Sequence, residues 1–249
     1  MPAFRAPVYD RIGERYATGR RTDPRIAARI WAALAGARTV LNVGAGSGSY
    51  EPSDRRVVAV EPSIVMLAQR PSGMAPAVRA VAERLPFPDG AFDAAMGVLT
   101  MHHWTDRDRG LAEMRRVAGR VVLFLRDPRR RPPWWLDHYF PATARLEAAR
   151  ETRVAELERV LGPLEVIPVP IPGDCADGFN GAYWQRPRAI LDPAVWRPMS
   201  ALSLIPLADR AAGMSRLRAD LDSGAWERRW GHLLGLAELD LGYSVAVTS

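Results

Sequence analysis

The sequence contains no lysine: all 34 of its basic residues are arginine. A Walker-type phosphate loop needs a Lys followed by Ser or Thr, so that class of nucleotide site is excluded. A complete absence of Lys also reads as codon bias in a GC-rich genome rather than selection for phosphate contacts. The formal net charge is +6, yet the arginines are spread along the chain, and the densest run, "RDPRRRPP" (126–133), reads as a solvated loop. No nucleic-acid partner is therefore expected. Cys175 is the only cysteine, which excludes an internal disulfide, and no motif around it marks a nucleophile. No apolar run approaches the ~18 residues a membrane helix needs. The opening stretch, "MPAFRAPVYDRIGERYATGRR", lacks the apolar core of a secretory signal. These absences together fit a cytoplasmic, membrane-free protein.

What is present alternates. The runs "TVLNV" (39–43), "VVAVE" (57–61), "AVRAV" (77–81), "FDAAMGV" (92–98) and "RVVLFL" (120–125) are short and almost continuously apolar. Such strands, separated by helical patterns, indicate a parallel sheet covered on both faces. Asp23-Pro24 opens a helix with an N-cap and a proline at the first helical position. Thr105 with Asp108 suggests a capping box for the next helix, and 141–161 suggests one long amphipathic helix stopped by Gly162-Pro163. Only Ser49 to Arg56 separates the first two strands, room for one short turn of helix or none. The proline-interrupted "LEVIPVPIP" (164–172) suits a sheet edge. Residues 173–237 are helical and rich in aromatics, and "ELDLGYSVAVT" (238–248) returns to strand alternation. The expected divisions are a lid and first helix (1–38), a core (39–172), a helical cap insert (173–237) and a last strand (238–249).

The chemistry is concentrated after the first strand. In "TVLNVGAGSGS" (39–49), glycines stand at 44, 46 and 48. Glycine weakens a strand interior, so a cluster at the strand's end marks a tight turn or a close approach of backbone to a ligand. Parallel sheets bind ligands at that edge. The spacing is G-x-G-x-G rather than G-x-G-x-x-G, which argues against a dinucleotide site, although a nicotinamide-dependent enzyme remains an alternative. Glu61, closing the second strand, is placed to accept both hydroxyls of a ribose. With the turn "AERLPFPDGAFD" (82–93), these features outline a pocket for an adenosyl group without a diphosphate.

In this order, "VLNVGAGSGSY", "VAVEPSIVMLAQR", "AERLPFPDGAFDAAMGVLTMHHW" and "GLAEMRRV" resemble the successive motifs of class I S-adenosylmethionine-dependent methyltransferases. Within these the chain is most similar to the small-molecule group that includes quinone-biosynthesis and arsenite methyltransferases. The resemblance covers residues 8 to 127 and is weak from 128 to 237. It implies a Rossmann-like α/β fold: a seven-stranded, mostly parallel sheet with an N-terminal helical lid and a helical insert before the last strand. It implies S-adenosylmethionine as cofactor and a small-molecule methyl acceptor (an O, N or C nucleophile) as substrate. By the same resemblance, Gly44, Ala45, Gly46 and Gly48 wrap the methionine part, and Glu61 holds the ribose. Pro62, Ser63 and Met66 flank the adenine, with Ala82 and Glu83 along its other edge, while Val98 and Leu99 lie near the methyl. Tyr9, Tyr16 and Arg20 close over the cofactor carboxylate. Two positions depart from the family. Asn42 stands where an acid usually holds the cofactor ammonium group. Ala80-Val81 replaces a Gly-Asp pair whose Asp usually meets the adenine amino group. These departures motivate an alternative, a cofactor-binding scaffold or non-redox cyclase without methyl transfer.

Methyl transfer asks chiefly for positioning, and for a base only where the acceptor must lose a proton. His102 and His103 follow the fourth strand and are the first candidates. His138, in "WWLDHYF", is the second, a core or lid role being its other reading. His232 fits helix packing. Adjacent histidines without a third ligand at useful spacing do not suggest a metal site. Trp134, Trp135 and Trp184 are candidates to line a pocket for a flat, apolar acceptor, or else belong to the core of the cap.

Overall fold

The computed structural model describes residues 9–12, 19–148 and 153–248. Nine strands are present among them: β1 (Thr39–Val43), β2 (Arg56–Val60), β3 (Ala77–Val78), β4 (Phe92–Val98), β5 (Ala118–Arg126), β6 (Leu164–Pro168), β7 (Ile171–Pro172), β8 (Glu238–Leu239) and β9 (Tyr243–Thr248). Seven of them form one sheet in the order β3-β2-β1-β4-β5-β9-β6. The first five run parallel, and β9 lies antiparallel between β5 and β6. β7 and β8 make a separate two-stranded ladder. The order reverses at β1, so the carboxyl ends of β1 and β4 diverge and leave a crevice there, the place where open α/β sheets bind ligands.

The strands sit where the apolar runs are, with one contraction. The run "AVRAV" joins the sheet only as Ala77–Val78. Pro62 ends β2 after Glu61, and the last bond of that ladder is Glu61 N to Val78 O at 3.1 Å. Without a partner strand the next residues turn toward the crevice.

Helix α1 (Tyr9–Ile12) is a single turn, and α2 (Pro24–Ala33) follows the Asp23 cap. The Asp23 carboxylate accepts from Arg25 N at 3.0 Å and also from Ala176 N at 3.0 Å, which ties the helix start to the insert. No helix forms between β1 and β2. A four-residue α3 (Ile64–Leu67) follows β2. Helix α4 (Arg107–Val117) is capped by Asp106, whose side chain accepts from Arg109 N at 3.0 Å, so Asp106 and not Thr105 is the cap. The single helix expected over 141–161 is two, α5 (Pro141–Ala148) and α6 (Val154–Leu161), because Arg153 has extended backbone with ψ 141°. Gly162, at φ 82° and ψ −170°, ends α6 in an extended positive-φ conformation that favours glycine.

One buried cluster holds Ile26 and Ile30 of α2, Val122 and Phe124 of β5, Val245 and Val247 of β9, and Trp134, Trp135, Trp184, Trp226 and Leu217. The insert thus shares a core with one face of the sheet. A second cluster, with Leu111 and Met114 of α4 and Leu157 of α6, covers the other.

Candidate active site

At the carboxyl ends of β1, β2 and β4 the chain encloses a cavity of about 120 Å³. Its first wall is the turn after β1. Gly44, Gly46 and Gly48 all have positive φ, at 69°, 55° and 100°. Gly44 N and Ala45 N both donate to Val60 O, at 2.8 and 3.0 Å, which folds the turn back over the end of β2. A Cβ on Gly44 would stand 1.9 Å from Thr100 Oγ1, so only glycine fits.

Glu61 forms the second wall and is 5% exposed. Its Oε2 accepts from Gly46 N and its Oε1 from Ser63 N, both at 2.9 Å. The carboxylate therefore fixes both the glycine turn and the start of α3. Burial pushes the Glu61 carboxyl above its ordinary value, while the two backbone N–H groups pull in the other direction. Pro62 and Met66 line the same wall. Ser63 and Gly48 do not: Ser63 caps α3, with Oγ accepting from Met66 N at 3.2 Å and donating to Asp10 Oδ1 at 2.5 Å.

Asn42 lies at the cavity floor, 1% exposed. Its Nδ2 donates to Glu51 Oε1 at 3.0 Å, and Glu51 pairs with Arg70 at 2.9 Å. Its Oδ1 is buried with no hydrogen-bond partner among the described residues. An orphaned acceptor is costly to leave unmade, so this atom calls for a donor from a ligand. An acceptor oxygen thus survives where the family usually has an acid, and a carboxylate stands directly behind it.

Val81, Ala82 and Glu83 form the far rim. Glu83 Oε1 accepts from Thr105 N at 2.6 Å and Asp106 N at 3.1 Å, binding that rim to the start of α4.

Four residues, Tyr9, Arg20, Leu99 and Thr100, also line a second cavity of about 150 Å³. The two spaces are neighbours across this shared wall. Leu99 occupies the left-handed region at φ 48°, unusual for a branched side chain, and its N–H donates to Phe124 O at 2.8 Å. Strain of this kind, worth about 1–3 kcal/mol, gathers at functional sites. His103 faces the first cavity and His102 the second, with ring centroids 3.9 Å apart. Tyr9 Oη meets His103 Nε2 at 3.1 Å. Arg20 is held by Asp177, with Nε to Oδ1 at 2.7 Å and Nη2 to Oδ2 at 3.0 Å. The same carboxylate accepts from Arg21 N, Tyr50 Oη and Gly178 N.

The sequence candidates thus divide. Tyr9, Arg20, Gly44, Ala45, Gly46, Glu61, Pro62, Met66, Ala82, Glu83, Val98 and Leu99 share the first cavity. Tyr16 lies outside the described residues. His138 is exposed and remote, its Nε2 3.3 Å from Arg229 Nη1, and it lines neither cavity. Trp134, Trp135 and Trp184 are core residues that line neither cavity. Trp135 Nε1 donates to Trp184 O at 2.7 Å and Trp184 Nε1 to Ile171 O at 2.9 Å, so bulk and backbone carbonyls draw these indoles inward. Sequence reasoning missed Thr100, Arg126, Glu147, Asn180 and Tyr243, all on the second cavity. Arg126 had a signal, since it closes the fifth apolar run at the ligand-binding edge of the sheet.

Sheet order, glycine turn and acidic residue after β2 define the nucleoside-binding α/β class. Comparison with known proteins narrows it. Residues 41–122 match a family described as methyltransferase domain. The solved structure of a putative methyltransferase from an antibiotic biosynthesis pathway of Anabaena variabilis ATCC 29413 is 31% identical. It superposes with a TM-score of 0.87 over 93% of this chain and 99% of that one. A possible histamine N-methyltransferase from Thermotoga maritima, 20% identical, shares the fold with a TM-score of 0.52 over 66% of this chain and 84% of that one. Among curated proteins, the ubiquinone/menaquinone biosynthesis C-methyltransferase UbiE of Geobacter sp. (strain M21) is 33% identical over 108 residues. That match spans 36% of this chain and 46% of the relative's length, less than half of the latter. The chain belongs to the S-adenosylmethionine-dependent methyltransferase family.

Proposed function

We propose that the protein transfers a methyl group from S-adenosylmethionine to a small-molecule acceptor. The observation that carries this reading is the pair of adjoining cavities, the first built around the glycine turn and Glu61, the second opening beyond Leu99 and Thr100. The residues of the first cavity fit the cofactor. Glu61 suits the ribose hydroxyls, the orphaned Asn42 Oδ1 suits the ammonium group, and the Gly44 turn leaves room for the methionine chain. When bound, S-adenosylmethionine supplies a methyl on a sulfonium centre, whose C–S bond breaks in line as the acceptor's new bond forms, its electron pair staying on sulfur.

The chain's own part is placement. Tyr9 and Arg20 close the N-terminal side, and the Arg20–Asp177 pair holds that segment in register with the insert. Leu99 and Thr100 form the partition across which donor and acceptor meet. Where the acceptor must lose a proton, His102 is placed to take it, because it alone of the histidine pair lines the second cavity. Ser63 acts as a positioning residue behind the cofactor wall, and Glu83, on the cavity's far rim, braces that rim against the start of α4. The small-molecule acceptor is the only partner this reading needs; among the described residues no helix is long and apolar enough to cross a membrane.

Calorimetric titration with S-adenosylmethionine and S-adenosylhomocysteine tests the cofactor site, and methyl transfer from labelled donor to an acceptor panel tests the activity. Binding followed by turnover of one acceptor class supports the reading. Binding with no turnover across O, N and C nucleophiles would favour the scaffold or cyclase alternative.

A further inference from the structure

Thr100 precedes a single 3₁₀ turn, Met101–His103, at the position from which a threonine hydroxyl ordinarily caps backbone N–H groups, yet its side chain makes no such bond. The hydroxyl is turned elsewhere. A Cβ on Gly97 would stand 3.3 Å from Thr100 Cγ2, and one on Gly44 1.9 Å from Oγ1. The methyl therefore lies back against β4, and the hydroxyl faces the glycine turn. Thr100 is 8% exposed, and Oγ1 has no hydrogen-bond partner among the described residues. Nor is the atom sealed in: it keeps accessible surface, on a residue that lines both cavities. A hydroxyl held in a pocket with its hydrogen unassigned is a donor waiting for an acceptor.

The surroundings say what that acceptor is. The glycine turn has already used most of its own donors. Gly44 N and Ala45 N donate to Val60 O, Gly46 N to Glu61 Oε2, and Gly48 N to Ala45 O, so four of its N–H groups have partners inside the protein. The Arg20 guanidinium, on the same cavity, is engaged at Nε and Nη2 by Asp177. The hydroxyls of Tyr9, Ser47, Ser49 and Thr105 also lie on this cavity, but of these only Tyr9 reaches the shared wall with the second cavity, and its Oη is engaged by His103. The amino-acid chain of S-adenosylmethionine leaves the same sulfur that carries the methyl, and it ends in a carboxylate. A carboxylate shielded from water needs donors, and bonds from neutral donors to a charged oxygen are among the stronger ones.

We propose that the Thr100 hydroxyl is a further cofactor-binding group, its Oγ1–H donating to the carboxylate at the amino-acid end of S-adenosylmethionine. This rests on the methyl-transfer reading and adds to it the side chain that holds that end of the cofactor beside the shared wall. It also accounts for Gly44: any side chain there would fill the space between the turn and the hydroxyl.

The test uses the full chain and two probes, S-adenosylhomocysteine and 5′-methylthioadenosine, which keeps the nucleoside and the thioether but lacks the amino-acid end. Thr100→Ser and Thr100→Ala differ from each other by the hydroxyl alone. By calorimetry, Thr100→Ser should bind S-adenosylhomocysteine about as tightly as the native chain, and Thr100→Ala at least about tenfold more weakly, the factor a hydrogen bond to a charged group supplies. All three proteins should bind 5′-methylthioadenosine alike. Equal affinity of the Ser and Ala variants for S-adenosylhomocysteine would overturn the inference. So would an equal loss of both probes in Thr100→Ala, which would mean that the hydroxyl only shapes the turn. In either case the native chain still binds S-adenosylhomocysteine, and the methyl-transfer reading stands. If the native chain binds no S-adenosylhomocysteine, that reading falls first and this inference with it.

Discussion

Replacing Glu61 with Gln isolates the charge at the centre of the cofactor wall while keeping its volume. In the native chain both carboxylate oxygens accept backbone N–H groups at 2.9 Å, from Gly46 and from Ser63, with the side chain 5% exposed. An amide has one acceptor oxygen. Whichever way it turns, one of the two N–H groups faces another donor. Losing one bond to a charged acceptor costs about 1.5–3 kcal/mol. Burial opposes the native charge and raises the carboxyl's pKa, so removing that charge returns part of the cost. The expected net loss of folding free energy is about 1–2 kcal/mol. For a chain of this size that lowers Tm by about 2–8 °C. The ribose hydroxyls lose a charged acceptor as well, so affinity for S-adenosylhomocysteine should fall about ten- to thirtyfold. Thermal unfolding and calorimetric titration at neutral pH read the two effects separately. A Tm within about 1 °C of the native value, with affinity changed less than twofold, would refute the assignment of Glu61 as both brace and ribose acceptor.

Three further outcomes follow from the same geometry. Gly44→Ala combines φ 69° with a Cβ 1.9 Å from Thr100 Oγ1, so S-adenosylhomocysteine binding should be lost by calorimetry even where circular dichroism shows the sheet intact. Asp23→Ala removes the cap of α2 and the acceptor of Ala176 N, at a cost of about 2–3 kcal/mol in urea unfolding. Burial raises the Asp23 carboxyl, but the Arg25 side chain and the backbone bonds from Ala176 and Arg25 outweigh it and hold it below the ordinary carboxylate value. A lowered native pKa makes this contribution full above the unfolded value and lost as pH falls through the native one. The native-to-variant gap in stability should therefore close in acid. Cys175 is fully buried, and burial pushes its thiol up to about 12. A disulfide-exchange reagent should leave the folded protein unlabelled at mildly alkaline pH and label it stoichiometrically in denaturant. Rapid labelling of the folded chain would contradict the packing around it.

The sheet was legible because parallel strands buried on both faces write themselves as apolar runs, and β1 and β4 coincide with theirs to the residue. The cofactor wall was legible because its needs are local: a positive-φ turn at Gly44 to Gly48, then an acid after the next strand. Residues that act through distance were not. Asp177 meets Arg20 across 157 positions and Tyr50 across 127, and nothing in "DCADGF" marks it as a hub. Arg126 and Asn180 come together only because β5 ends beside the insert. The tryptophans misled for the opposite reason. Their size and apolarity predict burial well but do not say whether the buried surface meets a ligand or a neighbouring wall, and here Trp134, Trp135 and Trp184 meet the core. At Thr105, a one-residue shift of the helix start gave the cap to Asp106.

Asp177 also sets an order in time. Arg20 and Tyr50 emerge from synthesis early, yet the carboxylate that collects Arg20, Arg21 N and Tyr50 Oη is made more than a hundred residues later. Until then the strands of the cofactor wall are already able to pair, and the N-terminal side is tied through Tyr9 to His103 and through Asp10 to Ser63, but it still lacks the Asp177 carboxylate. The two halves of the binding site therefore mature at different moments. The nascent protein can form a nucleoside shelf first, and an enclosed chamber only once Asp177 and, later still, Met199 and Tyr243 of the second cavity's wall have been made.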